Sequence, residues 1–203
     1  GMLSRFPFFL VVPASLNVQT YKEFAELAKS KPGQLSYGSN GTGNLSHLGT
    51  EMLKAAAGLD LVHVPYKGFG PMLPDLLTGR LASTFADYAP VAEQVRAGKL
   101  RILATTGTTR SPYAPDAPPL AELGNPGYEL EVWFALYGPA KTPPEIVSRL
   151  SDELRKYLSG AEAKEAFAKL GHDTYPTGPD EVRNRIIAEH KQFAIAVKTA
   201  KLK

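Results

Sequence analysis

The chain has 203 residues, of which 43% are hydrophobic and 21% charged, values typical of a globular protein with one large domain or two smaller lobes. Its net charge of +3 comes from dispersed charges of both signs, so a nucleic-acid partner is not expected. The lack of cysteine excludes disulfides, thiolate metal sites and a cysteine nucleophile. The four histidines show no metal-ligand spacing, so no metal or other cofactor is expected.

The first structural signal is the apolar run at residues 6–12, and its part at 8–12 predicts a strand buried on both faces. The run is too short to cross a bilayer and follows only Arg5, so it does not have the form of a signal peptide. Thr20 and Glu23 then form a capping-box pattern, which predicts a helix that stops at Pro32 and Gly33.

Short apolar runs alternate with amphipathic helical patterns through the middle of the chain. Strands are predicted at 35–39, 61–64, 81–85 and 100–105, with a helix after each of the first three. This alternation predicts an α/β fold with a mostly parallel sheet, in which ligands bind beyond the carboxyl ends of the strands. The loops at Ser39, Tyr66 and Asp87 are therefore expected around one mouth.

The C-terminal part begins with a segment rich in Thr, Pro and Ser at residues 106–119, which predicts a loop or a crossing between lobes. A strand is predicted after it, and Thr142 with Glu145 forms a second capping-box pattern. The elements predicted after the crossing are a strand at 130–137, helices at 142–158 and 161–170, a short extended segment at 172–175 and a long helix at 180–199.

The segment at residues 36–47, SYGSNGTGNLSH, is predicted to be a strand end, a turn with two glycines and the first turn of a helix. Gly41 and Gly43 allow backbone angles that other residues disfavour, and they let a ligand approach the main chain. The free N–H groups and positive dipole end of the helix suit an anion such as a carboxylate or a phosphate. The segment is not a dinucleotide fingerprint, because Ser46 fills the third glycine position, and it lacks the P-loop lysine.

Each candidate residue also has a structural interpretation. The loop itself could be an ordinary turn that binds nothing. His47 is expected to support the loop by a local hydrogen bond rather than to contact a ligand. For Lys67, a solvated side chain and a carboxylate contact are equally compatible with the sequence. For Asp87, a helix cap and an acceptor for a ligand amino or hydroxyl group are equally compatible.

Several short motifs occur in an order that resembles one known family. They are YGS at 37–39 with Gly41 and Gly43, SHL at 46–48, HVPYKG at 63–68, AGKLR at 97–101, WF at 133–134 and GPAKTP at 138–143. Together they cover nearly the whole chain and closely resemble the Bug family, the substrate-binding receptors of tripartite tricarboxylate transporters.

The resemblance implies a two-lobe, periplasmic-binding-protein-like (type II) fold that closes on a small mono- or dicarboxylate in the periplasm. The receptor would deliver this ligand to a membrane permease and would not be an enzyme. Residues 13–131 would form lobe two, and residues 1–12 plus 132–203 would be what remains of lobe one. Lobe one is expected to be incomplete, because the family's usual N-terminal segment and its glycine-rich loop have no counterpart here.

The resemblance also implies a set of ligand-binding residues. The family's glycine loop corresponds to Ser39, Asn40, Gly41, Thr42, Gly43, Asn44 and Ser46, and His47, Lys67 and Asp87 complete the candidate site. The chain departs from the family at Ala86, where members often carry aspartate, and two alternatives stay open: Asp87 substitutes for that residue, or it points elsewhere.

An incomplete lobe predicts an exposed apolar surface and sheet edge, which a homodimer would cover. One alternative is therefore a truncated, self-associating α/β module that no longer binds ligand. A further alternative is an α/β enzyme that holds phosphate or a nucleotide at the same helix N-terminus.

Overall fold

The computed structural model describes residues 1–199, in which helices and strands alternate along most of the chain. The elements are β1 (Met2–Pro7), β2 (Phe9–Pro13), α1 (Tyr21–Ser30), β3 (Leu35–Ser39), α2 (Leu45–Ala57), β4 (Leu61–Pro65), α3 (Phe69–Leu77), β5 (Ser83–Ala86), α4 (Tyr88–Arg96), β6 (Leu100–Thr105), β7 (Glu131–Ala135), α5 (Pro144–Ser159), α6 (Ala161–Ala168), β8 (Asp173–Thr174) and α7 (Pro179–Thr199). The part of the C-terminal lobe prediction that falls on residues 200–203 lies outside the described residues.

Contacts between residues divide the chain into two compact units. The smaller unit contains Gly1–Phe6 and Val132–Phe193, and the larger contains Pro7–Glu131 with the segment from Ala194. Residues 7–12 and 194–199 were predicted from the sequence to belong to lobe one. In the structure both segments belong to the larger unit. Residues 7–12 do so because β2 pairs with strands on both of its sides within that unit's sheet.

The larger unit is built on a five-stranded sheet with the order β4-β3-β5-β2-β6. β3 runs parallel to β4 and β5, whereas β2 runs antiparallel to its neighbours β5 and β6. Four of the five strands therefore share one direction, which agrees with the predicted mostly parallel sheet, and β2 is the exception. All five residues of β2 are buried, as its continuous apolar sequence predicts.

The core of the larger unit lies between this sheet and the helices that cover it. It contains the buried residues Phe9, Val11, Met72, Leu76, Leu81, Ala86, Val91 and Leu100. Full burial of one such large apolar side chain stabilises the fold by about 1.5–3 kcal/mol. This packing fixes β2 and β5 relative to α3 and α4.

Two helix starts test the predicted capping boxes. The Thr20 hydroxyl accepts the Glu23 N–H at 3.2 Å, and the Glu23 carboxylate accepts the Gln19 N–H at 2.6 Å, so the first capping signal is confirmed. The second prediction is wrong, because α5 begins at Pro144 with Pro143 as its N-cap. The Thr142 hydroxyl donates instead to the Pro139 carbonyl at 2.8 Å.

The smaller unit contains a three-stranded sheet with the order β7-β1-β8, together with α5 and α6 and most of α7. β1 and β8 are antiparallel, with Ser4 opposite Thr174, and the ring of Phe6 stacks on His172 at 3.6 Å between centroids. β1 was not predicted from the sequence. Within residues 1–199, no helix is both long and apolar enough to cross a lipid bilayer.

Candidate functional site

Three strand-to-helix loops meet at one edge of the larger sheet. Ser39 pairs with Pro65 and Gly38 with Thr84, so β3, β4 and β5 end side by side. The Tyr66 N–H donates to the Ser39 carbonyl at 2.9 Å and ties the second loop to the first. The strand order thus brings together the three loops that the parallel alternation predicted.

The glycine loop, residues 39–47, is held in shape largely by hydrogen bonds within itself. The Asn40 N–H donates to the Ser46 hydroxyl at 3.0 Å, and the Gly41 N–H donates to the Ser39 hydroxyl at 3.3 Å. The Asn44 N–H donates to the Gly41 carbonyl at 3.1 Å. Gly41 has a φ of 137°, a conformation that strains any other residue, so glycine at this position has a physical reason.

These internal bonds change the expected role of the backbone. The Ser46 N–H is capped by the Asn44 side-chain oxygen at 3.1 Å, and the Gly43 N–H donates to His47 Nδ1 at 3.0 Å. Five of the loop's N–H groups are therefore already bonded, rather than free for a ligand. The N–H groups of Thr42 and Leu45 make no hydrogen bond within the described residues, and Thr42 is exposed.

Two histidines form a stacked pair behind the loop. His47 lies in the first turn of α2 with 4% of its surface exposed, and His63 lies on β4. Their rings are 3.7 Å apart and almost parallel, at 6°. His63 Nε2 lies 2.7 Å from the Ser39 hydroxyl, so the pair contacts the loop at its first residue and at its middle, Gly43. The structure gives His47 the supporting hydrogen bond that the sequence analysis favoured.

A second polar group lies beneath the histidines. The hydroxyl of Tyr37, a fully buried residue, donates to the Glu51 carboxylate at 2.6 Å, and Lys54 Nζ contacts the same oxygen at 2.6 Å. Burial and the Glu51 carboxylate raise the pKa of Tyr37, so its hydroxyl stays a donor at neutral pH. The Tyr37 ring also stacks on His63 at 5.0 Å between centroids.

The other two candidates differ in burial. Lys67 is exposed in the loop between β4 and α3. Asp87 occupies the N-cap position of α4, but its side chain makes no capping hydrogen bond, and its Oδ1 is buried without a partner in residues 1–199. Burial raises the pKa of Asp87 to about 6. Asn40 Oδ1 is a second buried acceptor of this kind at the same edge.

The edge therefore combines backbone donors, an exposed cation and two acceptors without donors, which is an arrangement for binding a small polar molecule. Among residues 1–199, no cluster of His, Asp or Glu could hold a metal ion. Sequence reasoning missed the supporting role of His63 and Glu51. The parallel register, which places Tyr37 opposite His63, is the signal from which that role could have been found.

Comparison with known proteins gives the family. The family model for the tripartite tricarboxylate transporter family receptor matches residues 1–199. Protein BugT of Bordetella pertussis is 33% identical over 205 residues, which cover 100% of this chain and 63% of BugT. The chain thus spans less than two thirds of the length of this relative.

Two solved structures share the fold. Rpa4515 of R. palustris, solved with adipate, has a TM-score of 0.89 and 32% identity, over 98% of this chain and 67% of Rpa4515. The periplasmic binding protein BugD has a TM-score of 0.86 and 27% identity, over 100% of this chain and 69% of BugD. The chain therefore belongs to the tripartite tricarboxylate transporter receptor family, a family of periplasmic solute-binding receptors and not of enzymes.

Proposed function

We propose that this chain binds a small mono- or dicarboxylate in the periplasm and delivers it to the membrane permease of a tripartite tricarboxylate transporter. The observation that carries the proposal is the glycine loop, in which two N–H groups are unbonded: that of Leu45, the first residue of α2, and that of Thr42, two residues before the N-cap Asn44. The end of a helix with free N–H groups favours an anion. The adipate in the structure of Rpa4515, at 32% identity, supports the carboxylate class.

In this proposal the ten candidate residues divide into three roles. Thr42 and Lys67 face the ligand carboxylate, and Asp87 and Asn40 accept hydrogen bonds from the ligand or from waters around it. Ser39, Gly41, Gly43, Asn44, Ser46 and His47 hold the loop in shape through the bonds described above.

We further propose that the larger compact unit, which begins at Pro7 and not at residue 13, forms one lobe of a two-lobe receptor. The smaller unit, with residues 1–6 and 132–193, would belong to the other lobe.

A thermal-shift screen of the whole chain tests the ligand class, with adipate and malate beside inorganic phosphate and ATP. Binding to the folded state stabilises it by about 2.7 kcal/mol when the ligand is present at 100 times its dissociation constant. We expect a concentration-dependent rise in melting temperature with a carboxylate and none with phosphate or ATP. A rise with ATP alone would overturn the proposal in favour of a nucleotide-binding enzyme.

Lys67→Gln should weaken binding of the carboxylate found in that screen by about three- to fivefold, because an exposed ion pair contributes up to about 1 kcal/mol. Added salt should reduce the difference between the variant and the unchanged chain. Isothermal titration at two salt concentrations measures it. Lys29→Gln is the matched control, since Lys29 is an exposed lysine in the last turn of α1. An equal loss in both variants would show that Lys67 acts only through net charge.

A second function, self-association, is favoured by an apolar surface on the smaller unit. Of the twelve exposed large hydrophobic residues in the described part of the chain, ten lie in this unit. Two adjoining grooves of about 310 and 390 Å³ are lined by Gly1, Leu136, Tyr137, Gly138, Pro139, Val147 and Pro179, with Leu150 and Leu154 in one and Ile186 and Ile187 in the other. Apolar patches of this kind mark interaction surfaces.

Light scattering at micromolar concentration should therefore give the mass of a dimer. Ile187→Asp should give a monomer, because it places a charge in the groove at a side chain that is 53% exposed. Val62→Asp is the matched control, since Val62 is 47% exposed but lies on β4 of the larger unit. A monomer for the unchanged chain would contradict self-association and leave the receptor proposal standing.

A further inference from the structure

The stacked His47–His63 pair is the feature that the proposed ligand contacts do not use. Its two rings come from neighbouring elements, α2 and β4, and their centroids are 3.7 Å apart at 6°. Each ring makes a short hydrogen bond to a different residue of the glycine loop. The pair therefore connects the loop to the elements beneath it.

The first contact fixes the charge of His47. Its Nδ1 accepts the Gly43 N–H at 3.0 Å, and a ring nitrogen that accepts a hydrogen bond carries no proton. A protonated imidazole has two N–H donors and no acceptor, so it would turn an N–H toward the Gly43 N–H. This bond is therefore available only while His47 is uncharged.

The second contact sets the direction of the Ser39 hydroxyl. Ser39 Oγ lies 2.7 Å from His63 Nε2, accepts the Gly41 N–H at 3.3 Å and lies 3.2 Å from the Gly41 carbonyl. With His63 neutral and protonated on Nδ1, the hydroxyl donates to Nε2. With His63 charged, Nε2 becomes a donor, and the hydroxyl proton must turn to the Gly41 carbonyl. A proton on His63 therefore reverses the hydrogen bond that anchors the start of the loop.

The surroundings disfavour a charge on either ring. Burial is the largest cause that lowers the pKa of both histidines, and a positive charge on His47 lowers that of His63 further, to about 4. Lys54 on α2 acts in the same direction, whereas Glu51 on α2 opposes it. Glu51 is bonded to Lys54 and to Tyr37 of β3, and its effect on the pKa of either ring is larger than that of Lys54 but smaller than that of burial.

We propose that His63 is a positioning residue which, through Ser39 and its stack with His47, holds the glycine loop in its binding shape only while both rings are uncharged. Carboxylate affinity would then fall on acidification, a consequence that rests on the proposed function. The change in loop structure with pH does not rest on it.

The pH range follows from the direction of the shifts. In the unfolded chain a histidine has a pKa of about 6.5. In the folded chain the pKa of both histidines is lower, so each takes up its proton at a lower pH. The contribution of the neutral pair to the loop is therefore fully present above pH 6.5 and is lost as the pH falls toward 4. Two further charged groups lie at this edge, Lys67 and Asp87, and Asp87 also becomes protonated near pH 6. The test must separate its titration from that of the histidines.

The experiment is a two-dimensional ¹H–¹⁵N NMR titration of the full chain from pH 8 to pH 4, with circular dichroism to verify folding at each point. We expect the NMR signals of the Gly43 amide and of the His47 and His63 ring nitrogens to change together as the pH falls, with a midpoint below pH 6.5. His63→Gln should remove the His63 part of this titration and leave that of Asp87. His190→Gln should not change it, because His190 is exposed on α7. If His63→Gln does not fold, His47→Gln serves in its place.

Adipate affinity gives the second measurement. The affinity of the unchanged chain, divided by that of His63→Gln at the same pH, should fall about twofold between pH 7 and pH 4, since the ionisation of adipate cancels in this ratio. A constant ratio, or a Gly43 amide that does not titrate with the histidines, would overturn the inference. No adipate binding at pH 7 would count against the proposed function with this ligand, and the Gly43 titration would then decide the inference alone.

Discussion

Replacing Phe85 by alanine is expected to lower the free energy of unfolding by about 3–5 kcal/mol. Phe85 is fully buried on β5 and packs against Tyr128, with 6.4 Å between ring centroids. Gly49 of α2 lies beside the ring, since a side-chain carbon at Gly49 would be 3.4 Å from it, and glycine has no side chain that could move into the cavity. Since the cost rises with the volume that stays empty, the upper half of this range is expected. Urea unfolding followed by circular dichroism measures it.

Phe85→Leu is the matched control for this cavity. It keeps most of the apolar volume and should cost less than about 1.5 kcal/mol. If the alanine variant lost no more than the leucine variant, the ring would not be a core side chain and the register of Phe85 opposite Leu10 would be in doubt. Phe85 lies two residues before Asp87 in the chain, so the alanine variant should also weaken carboxylate binding.

Short-range sequence signals predicted the part of the fold that surrounds the site. The alternation of strands and helices gave the shared edge of Ser39, Tyr66 and Asp87, because parallel strands that are each followed by a helix must end on one side. The Thr20 capping box was confirmed because its partner lies only three residues away. The capping box predicted at Thr142 was wrong, because the Thr142 hydroxyl donates to the Pro139 carbonyl and does not cap α5.

Long-range pairings account for what the sequence could not predict. The antiparallel direction of β2 depends on neighbours far along the chain, β5 and β6. Ser39 and His63 are 24 residues apart, and only the register between β3 and β4 brings them together. The ligand-binding roles of the ten candidate residues stay predictions. The internal bonds of the loop, which follow from its folded conformation, reduce the number of N–H groups that a ligand can use.

Contacts between distant residues also determine the structure of the segment after β6, which was predicted from the sequence only as a loop or a crossing between lobes. Its first residue, Thr106, is fully buried and joins parts of the larger unit that are distant in sequence. The hydroxyl accepts the Phe8 N–H at 2.8 Å and donates to the Leu130 carbonyl at 2.6 Å. Nothing in the local sequence distinguishes Thr106 from the threonines beside it.

Thr106→Val is expected to cost about 2–4 kcal/mol of the free energy of unfolding. Valine has the shape of threonine, so it creates no cavity, but it leaves the Phe8 N–H without its acceptor and the Leu130 carbonyl without the hydroxyl donor. Each buried polar group that loses its partner costs about 1–3 kcal/mol. Thr106→Ser makes the opposite change, because it keeps the hydroxyl and removes one methyl group, at a cost of about 1 kcal/mol. Urea unfolding of both variants separates hydrogen bonding from packing, and a serine variant less stable than the valine variant would show that the methyl group, and not the hydroxyl, stabilises this junction.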